Sequence, residues 1–374
     1  MTRRCASAVR RRSEVAIHGV AGLFLAAFAF DALPLPGGAR GAVAQQSGGW
    51  TFTSDPFADL WFHGLAIVGF DGFGRVPLYD AEYAWDVTAA RRGDTSPSEL
   101  ELARGELLAA LMSDPAFEVL HFVPLYFADA PVDMALDALE HLGDGGASRT
   151  DPRVAREVTA IGSVLVTPEQ RSVVTAFVRA LRAERPFLTR RRAQGFDIGG
   201  SGVAKLWKER VQSELGAFLA REQFTHGTVV MTPALGTEGR FLDTDGGVLV
   251  MVGVSADAAA PAVVGAVLRE LCYPAVRRAV APYESRIEDR RVVSDVSDLA
   301  ATRCADLLLE RHAAELLPPY RARFGVGSSS SGFLSAAGLA PGVAALEREL
   351  DAALARELNL SLSSDRAEAR PAGR

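Results

Sequence analysis

Glu270 is the residue of this 374-residue chain whose surroundings come closest to a known chemical spacing. It lies in the stretch Arg269-Glu270-Leu271-Cys272-Tyr273. Two histidines at positions i and i+4 of a helix share a face and can bind one zinc ion, and a glutamate next to the first can activate a zinc-bound water. Arg269 and Tyr273 stand at those two positions here. The stretch therefore keeps the glutamate of a zinc site without its ligands, and we expect no metal and no other cofactor.

The histidines outside the N-terminal segment give no alternative metal site. No two of them have the spacing of metal ligands. We expect each to be partly buried or on the surface. They are His63, His121, His141, His226 and His312.

Two runs rich in β-branched residues precede Glu270. They cover residues 227–233 and 247–254, and a polar, glycine-bearing stretch separates them. This pattern predicts a small antiparallel pair of strands. Pro261 then favours the start of a helix that carries Glu270, and Pro274 predicts a bend near the end of that helix.

The order of strand, turn and helix with a central glutamate resembles the core of the zincin metallopeptidases. The closer likeness is to poorly characterised exported bacterial zincin-like domains, in which the zinc motif is followed by a proline and, two positions later, a valine. Pro274 and Val276 stand at those places here. The resemblance covers residues 227–317, with a weaker likeness at Trp61-Phe62-His63.

This resemblance implies an α+β fold, predominantly helical, with a small antiparallel sheet packed on the motif-bearing helix. It places Glu270 at the position of the general base, which is vestigial without a metal. Arg269 and Tyr273 take the positions of the lost metal ligands and are candidates for binding a ligand. A downstream acid, Asp298, Asp306 or Glu310, is a candidate for an ancestral third ligand, and the alternative is that each belongs to the polar face of its helix.

The N-terminus has the composition of a signal peptide. Arginines precede a short apolar core at residues 19–30, and the small-residue site Ala42-Val43-Ala44 follows. An apolar stretch below about 20 residues is short for a membrane span. We therefore predict a signal peptide at 1–44 and an exported bacterial protein, periplasmic or extracellular, with an uncleaved anchor as the alternative.

We divide the rest of the chain into a helical N-terminal region at 45–225, a C-terminal region at 226–360 and a disordered tail at 361–374. The resemblance implies that the C-terminal region is zincin-like. Within the first region we predict a helix at 55–68 and another that a capping box at Ser96 opens.

A third predicted helix starts at Thr167 and ends near Glu184, before Pro186, and a long helix covers 203–223.

Charge makes nucleic acid an unexpected partner. Removing residues 1–44 takes away six of the 40 basic and two of the 46 acidic residues, which leaves a net charge of −10. Such a chain lacks the basic surface that binds phosphates. We also expect no stable membrane span after residue 44.

Cys272 and Cys304 are the cysteines that remain beyond residue 44. In an exported protein they can form a disulfide, which would connect two helices. Two buried free thiols are the equal alternative.

Three functions fit these observations. The first is a non-catalytic pseudopeptidase that binds a peptide or protein in the old cleft. The second is a metal-independent enzyme that uses Arg269, Glu270 and Tyr273. The third is a helical structural or interaction protein of the cell envelope without an active site. Substrate, partner and oligomeric state are not readable from the sequence.

Overall fold

The computed structural model describes residues 49–74, 77–91, 97–142, 151–193, 200–244, 247–255, 258–287, 290–325 and 333–360. In these ranges the chain is mostly helical and has one small sheet, which confirms the predicted α+β, predominantly helical class. The predicted signal peptide, the tail after residue 360 and Ser96 lie outside the described residues. None of the described helices combines the length and the apolar character that a membrane crossing requires.

The helices are numbered here in chain order. The α-helices are α1 Pro56–Val68, α2 Ala81–Arg91, α3 Glu99–Leu111, α4 Val123–Tyr126, α5 Val132–Glu140, α6 Pro152–Val164, α7 Pro168–Ala193, α8 Gly200–Leu206, α9 Gln212–Glu214, α10 Gly216–Arg221, α11 Ala260–Leu271, α12 Tyr273–Val280, α13 Arg290–His312, α14 Leu317–Phe324, α15 Phe333–Ala336, α16 Pro341–Ala344 and α17 Glu347–Glu357. Short 3₁₀ turns lie at Pro115–His121, Ala281–Arg286 and Ala314–Leu316, and a π-helical turn lies at Trp207–Val211.

The sheet is mixed. Its strands are β1 Trp50–Thr53, β2 Gly227–Thr232, β3 Arg240–Thr244 and β4 Gly247–Gly253, in the order β1-β2-β4-β3. β1 and β4 each pair with β2 in parallel, and β3 pairs with β4 antiparallel. The prediction that 227–233 and 247–254 form an antiparallel pair was therefore wrong. The polar stretch between them contains β3, which makes the hairpin with β4 and leaves β2 and β4 running in the same direction.

The sheet lies between two groups of helices because its side chains alternate between its faces. Val230, Leu249 and Met251 belong to the hydrophobic core built by α1 to α7. Val229 and Val250 belong to the core of the helices that follow residue 200. The apolar residues of 203–224 belong to the second core.

Two helix ends differ from the predictions in an informative way. α7 continues through Pro186 to Ala193, although an interior proline removes a hydrogen bond and costs about 3 kcal/mol. Burial of Leu188 and stacking of the Arg91 guanidinium on the ring of Phe187, 4.0 Å from its centroid, offset that cost. The predicted helix at 203–223 is interrupted by the π-helical turn and divided into α8, α9 and α10.

The helix starts follow local chemistry more closely. Asp55 caps α1 by accepting a hydrogen bond from the amide of Ala58, with Pro56 in the first turn. The capping box of α3 is formed by Ser98 and Glu101, two residues later than the predicted box.

Candidate functional site

α11 carries the motif into the middle of the second core. It follows β4, begins with Pro261 in its first turn and is buried continuously from Val263 to Leu271. Gly265 allows the close approach of α14, since a Cβ there would lie 2.6 Å from Cδ2 of Tyr320. The helix packs on β4 and on α13.

The end of α11 is fixed by two features. The helix is interrupted at Cys272, and α12 begins at Tyr273 with Pro274 in its first turn. The interruption therefore lies just before Tyr273, whereas the bend was predicted just after it. A disulfide joins Cys272 to Cys304 on α13, with 6.1 Å between the Cα atoms. Of the two alternatives for the cysteines, the structure therefore has the disulfide.

The carboxylate of Glu270 is buried and hydrogen-bonded. Glu270 is only 1% exposed. Its Oε1 accepts a hydrogen bond from Nη1 of Arg269 at 2.5 Å and another from the amide of Gly239 at 3.0 Å. Burial raises the pKa of Glu270, and the positive charges of Arg269 and Arg240 oppose that effect.

Gly239 lies directly against this carboxylate. A Cβ at position 239 would be 2.4 Å from the carbonyl oxygen of Met251 and 2.8 Å from Cγ of Glu270. Any other residue would push either the hairpin or Glu270 away. Because position 239 carries no side chain, the backbone amide of Gly239 can lie against Oε1 of Glu270.

The guanidinium of Arg269 is buried next to Glu270 and makes several hydrogen bonds. The residue is 2% exposed. Besides Glu270, it donates from Nε to Oγ1 of Thr302 at 3.1 Å and from Nη2 to the carbonyl oxygen of Asp298 at 3.4 Å. Its Cζ lies 5.6 Å from the centroid of the Tyr273 ring, so the residues at positions i and i+4 do lie together.

Tyr273 contacts α13, as Arg269 does. Its hydroxyl donates a hydrogen bond to Oδ1 of Asp298 on α13. Burial raises the pKa of Tyr273 well above its ordinary value, with the charge of Arg269 acting in the opposite direction. The phenol therefore stays protonated and serves as a donor.

The β3 hairpin contributes two charged residues that the sequence reasoning missed. Oε1 of Glu238 lies 3.7 Å from Nη2 of Arg269, and its Oε2 lies 3.8 Å from Nη1 of Arg240. Burial, followed by repulsion from Asp298, raises the pKa of Glu238 to about 7. We call Glu238, Arg240, Arg269, Glu270, Tyr273 and Asp298 the Arg269 cluster. Glu238 and Arg240 lie in the polar stretch that the sequence analysis interpreted as a connection between strands. No periodic pattern distinguishes them there.

This arrangement does not fit a zinc ion. Zinc prefers neutral imidazole, thiolate or carboxylate ligands, whereas a guanidinium is cationic at any working pH. Arg269 is hydrogen-bonded to the very carboxylate that would activate a zinc-bound water. Within the described residues, no group of three or more histidine, cysteine or acidic side chains could hold a metal ion.

Two of the histidines are fully buried, which differs from the expectation of partly buried or surface positions. Nδ1 of His63 lies 2.9 Å from the hydroxyl of Tyr83, and its Nε2 lies 3.0 Å from Oε1 of Glu184. Arg91 also pairs with Glu184. His63 therefore belongs to a polar group between α1, α2 and α7, away from α11.

His121 is the second buried histidine. Its ring stacks on Phe70 with 4.9 Å between centroids, and its Nδ1 lies 2.9 Å from the hydroxyl of Tyr79. Burial and the nearby charge of Arg240 hold its pKa well below the ordinary value. It is a neutral core residue beside the Arg269 cluster.

Comparison of the chain with protein-family models, with curated proteins and with solved structures found no significant match in any of the three.

Proposed function

We propose that this protein is an exported, zincin-like scaffold in which the Arg269 cluster replaces the metal centre, and that it binds a peptide or protein without cleaving it. The observation that carries the proposal is the buried hydrogen bond between Arg269 and Glu270. This bond joins Arg269, at the position of a lost metal ligand, to Glu270, at the position of the general base.

The physical chemistry favours binding over catalysis. A catalytic zinc lowers the pKa of its bound water to about 7 and polarises the scissile carbonyl. Without such an ion, Glu270 would have to deprotonate ordinary water. Its Oε1 already accepts two hydrogen bonds, from Arg269 and Gly239.

The surroundings of α11 support the zincin-like part of the proposal. The helix directly follows β4, packs on the sheet and is faced by α13. This is the minimum arrangement that the resemblance requires.

β3 supports the binding part. It is the last strand of the sheet, and an edge strand can add an extended peptide through its backbone. The carboxylates of Glu118 and Asp298 are each partly exposed, and both act on the surroundings of the hairpin, where Arg240 balances part of their charge. We therefore expect a peptide with a basic side chain to be preferred over an acidic one.

Two measurements test the proposal. The first is the metal content of the purified full chain, where stoichiometric zinc would overturn it. The second is the double variant Arg269→His with Tyr273→His, which restores the ligand spacing and is expected to gain zinc affinity that the native chain lacks. No gain in a folded double variant would remove the zincin-like part.

Peptide binding is tested by screening basic, neutral and acidic peptides, followed by hydrogen exchange. The expected result is selective binding of basic peptides with slowed exchange at Arg240–Thr244. Protection elsewhere, or no binding, would contradict the peptide-binding part. Binding should weaken in Asp298→Asn more than in Glu315→Gln, an exposed acid on the 3₁₀ turn at Ala314–Leu316.

The burial of Glu270 favours a second candidate, a helical envelope protein that uses its outer surface and no internal site. The peptide experiment separates the two candidates, because only the first predicts slowed hydrogen exchange in β3 when a peptide binds.

A further inference from the structure

We propose that the disulfide between Cys272 and Cys304 is a redox lock on the Arg269 cluster. By a redox lock we mean that the oxidised chain holds the cluster assembled, whereas the chain with two free thiols leaves the cluster and the β3 hairpin mobile. The proposal concerns how the cluster is held together and does not depend on what the protein binds.

The two cysteines lie among the residues that build the cluster. Cys272 stands at the junction of α11 and α12, between Arg269 and Tyr273. Cys304 lies on α13, two residues after Thr302. Nε of Arg269 donates to Oγ1 of Thr302 at 3.1 Å. The covalent bond and this hydrogen bond therefore connect the same two parts of the chain.

The part of α13 that contacts the cluster buries little apolar area. Between Asp298 and Cys304 the buried residues are Ala300 and Ala301, and the buried leucines of this helix begin only at Leu307. Burial of small side chains stabilises a contact less than burial of large ones, because the stabilisation grows with the apolar area removed from water. This end of α13 therefore gains less from packing than the end that follows Cys304.

The charges of the cluster do not make up for that difference. Removing several ionised groups from water costs free energy, which their mutual attraction returns only in part. The buried cation of Arg269 and the acids around it thus need α11 and α13 to be held close by another force. The disulfide is a covalent connection at this position.

The β3 hairpin depends on the same contacts. The amide of Gly239 donates to Oε1 of Glu270, which also accepts from Nη1 of Arg269. Two free thiols need more room in a close-packed core than one disulfide, so reduction separates α13 from the junction of α11 and α12. Loss of Thr302 as a partner then reorients the guanidinium and changes the contacts of Glu270. We therefore expect the amide of Gly239 to report the state of the disulfide.

Burial makes the bond persistent once the chain is folded. Cys272 and Cys304 are both fully buried. Thiol–disulfide exchange requires a thiolate to reach one of the two sulfurs. A dissolved reductant cannot reach them while α11 and α13 stay together, so the bond forms during folding and then remains.

Formation of the bond requires an oxidant, for which glutathione disulfide serves in the experiments. The thiolate of one cysteine attacks a sulfur of glutathione disulfide and releases one glutathione thiolate. The thiolate of the other cysteine then attacks the protein sulfur of this mixed disulfide and releases the second. Two electrons pass from the cysteines to glutathione, and the two cysteine protons are taken up by the two glutathione thiolates.

The lock responds to the redox state of the compartment. Disulfides persist in the oxidising environments outside the cytoplasm, whereas cytosolic thiols are kept reduced. Together with the export proposed above, this means that the cluster is fixed after the chain has left the cytoplasm.

The test compares hydrogen exchange of the full chain in two forms, one oxidised with glutathione disulfide and one refolded in dithiothreitol. We expect exchange at residues 236–244 to be at least about tenfold faster in the reduced form, with α3 and α7 unchanged. Equal exchange at 236–244 would overturn the proposal. A reduced chain that does not fold, or that exchanges faster in both cores, would also overturn it, because the disulfide would then support the whole fold.

Variants separate the lock from a general loss of stability. Cys272→Ala combined with Cys304→Ala is expected to reproduce the fast exchange at 236–244 without any reductant. The control is Leu139→Ala on α5, which removes a fully buried side chain from the other core and is expected to leave the contrast between 236–244 and α3 unchanged. The same selective effect in both variants would contradict the proposal. If the double alanine variant does not fold, the reduced native chain decides, since its thiols keep the sulfur atoms in place.

Persistence of the bond is measured by alkylating free thiols and weighing the protein. The folded, oxidised chain is expected to keep its disulfide in dithiothreitol and to lose it when urea is added. Rapid reduction without urea would show a reversible switch and overturn the lock.

Discussion

The Arg269 cluster and the cavity beside Asp59 use the same kinds of side chain in opposite ways. In the cluster, Arg269 connects three acids and a threonine, and the amide of Gly239 completes the contacts of Glu270. The cavity beside Asp59 is open to solvent and is also lined by Ser54, Tyr83, Leu188, Arg191, Arg192 and Pro233. There Asp59 pairs with one partly exposed arginine, Arg192, and with the hydroxyl of Thr232. Several acids around one buried cation depend on that cation, whereas a single pair beside solvent stabilises the fold less.

The sequence motif and the structure draw attention to different residues. The sequence motif directs attention to Glu270, which the structure surrounds with protein donors. Asp59 lies on α1, which is buried from Phe57 to Val68, and carries no motif, yet it borders the cavity. Similarity to a catalytic pattern and availability to a ligand are therefore separate properties.

The largest expected effect is that of Arg269→Ala. This change leaves several buried acids without their common cation, which costs about 3–5 kcal/mol when one partner of a buried ion pair is removed. Urea unfolding measures the loss. The control is Arg286→Ala, whose exposed pair with Glu349 is expected to change stability little. If both variants unfold alike, the cluster is not the stabilising network described here.

Gly239→Ala tests the closeness of the hairpin to Glu270. The added methyl would overlap the carbonyl of Met251 and the side chain of Glu270, and such overpacking costs about 1–3 kcal/mol. Gly105→Ala on α3 is the matched control, because its Cβ would meet nothing within 4 Å. That control should stabilise the protein slightly, by roughly 0.5–1 kcal/mol. A neutral result at position 239 would show that the hairpin can move away from α11.

Glu238→Gln addresses the protonation of the cluster. The folded-state pKa of Glu238 is raised from 4.5 to about 7, so the folded protein holds this proton more tightly than the unfolded chain. The stability contributed by the proton is present below pH 4.5 and is lost as pH rises to about 7. The variant should reduce this decline in unfolding free energy by on the order of 1–2 kcal/mol. An unchanged pH profile would contradict the assignment.

The smallest effect is expected for Asp59→Asn. Burial raises the pKa of Asp59 from 3.8 to about 6, so its ionised form opposes folding above that pH. Removing the charge should therefore change stability at pH 8 by no more than about 1 kcal/mol, with a gain favoured, since the loss of the Arg192 pair offsets part of the benefit. A loss comparable to that of Arg269→Ala, measured by the same urea titration, would mean that both regions are structural.

Local chemistry allowed much of the secondary structure to be predicted. The prolines at positions 56 and 261 identified the starts of α1 and α11, since a proline in the first turn acts locally. Pro186 gave a wrong helix end because the burial of Leu188 outweighs the local penalty.

The pairing of the strands could not be predicted in the same way. β1 was missed, and its partner β2 lies far away in sequence. The direction of β2 relative to β4 depends on where β3 inserts, and a short polar strand has almost no periodic pattern.

The sequence by itself determined that Glu270 sits on a helix after a buried strand, flanked by Arg269 and Tyr273 in place of histidines. Only the tertiary structure decided what those residues contact. The β3 hairpin brings Glu238 and Gly239 to Glu270, and α7 brings Arg192 to Asp59. Such contacts join residues tens to more than a hundred positions apart, and their geometry follows from packing, which no local pattern in the chain encodes.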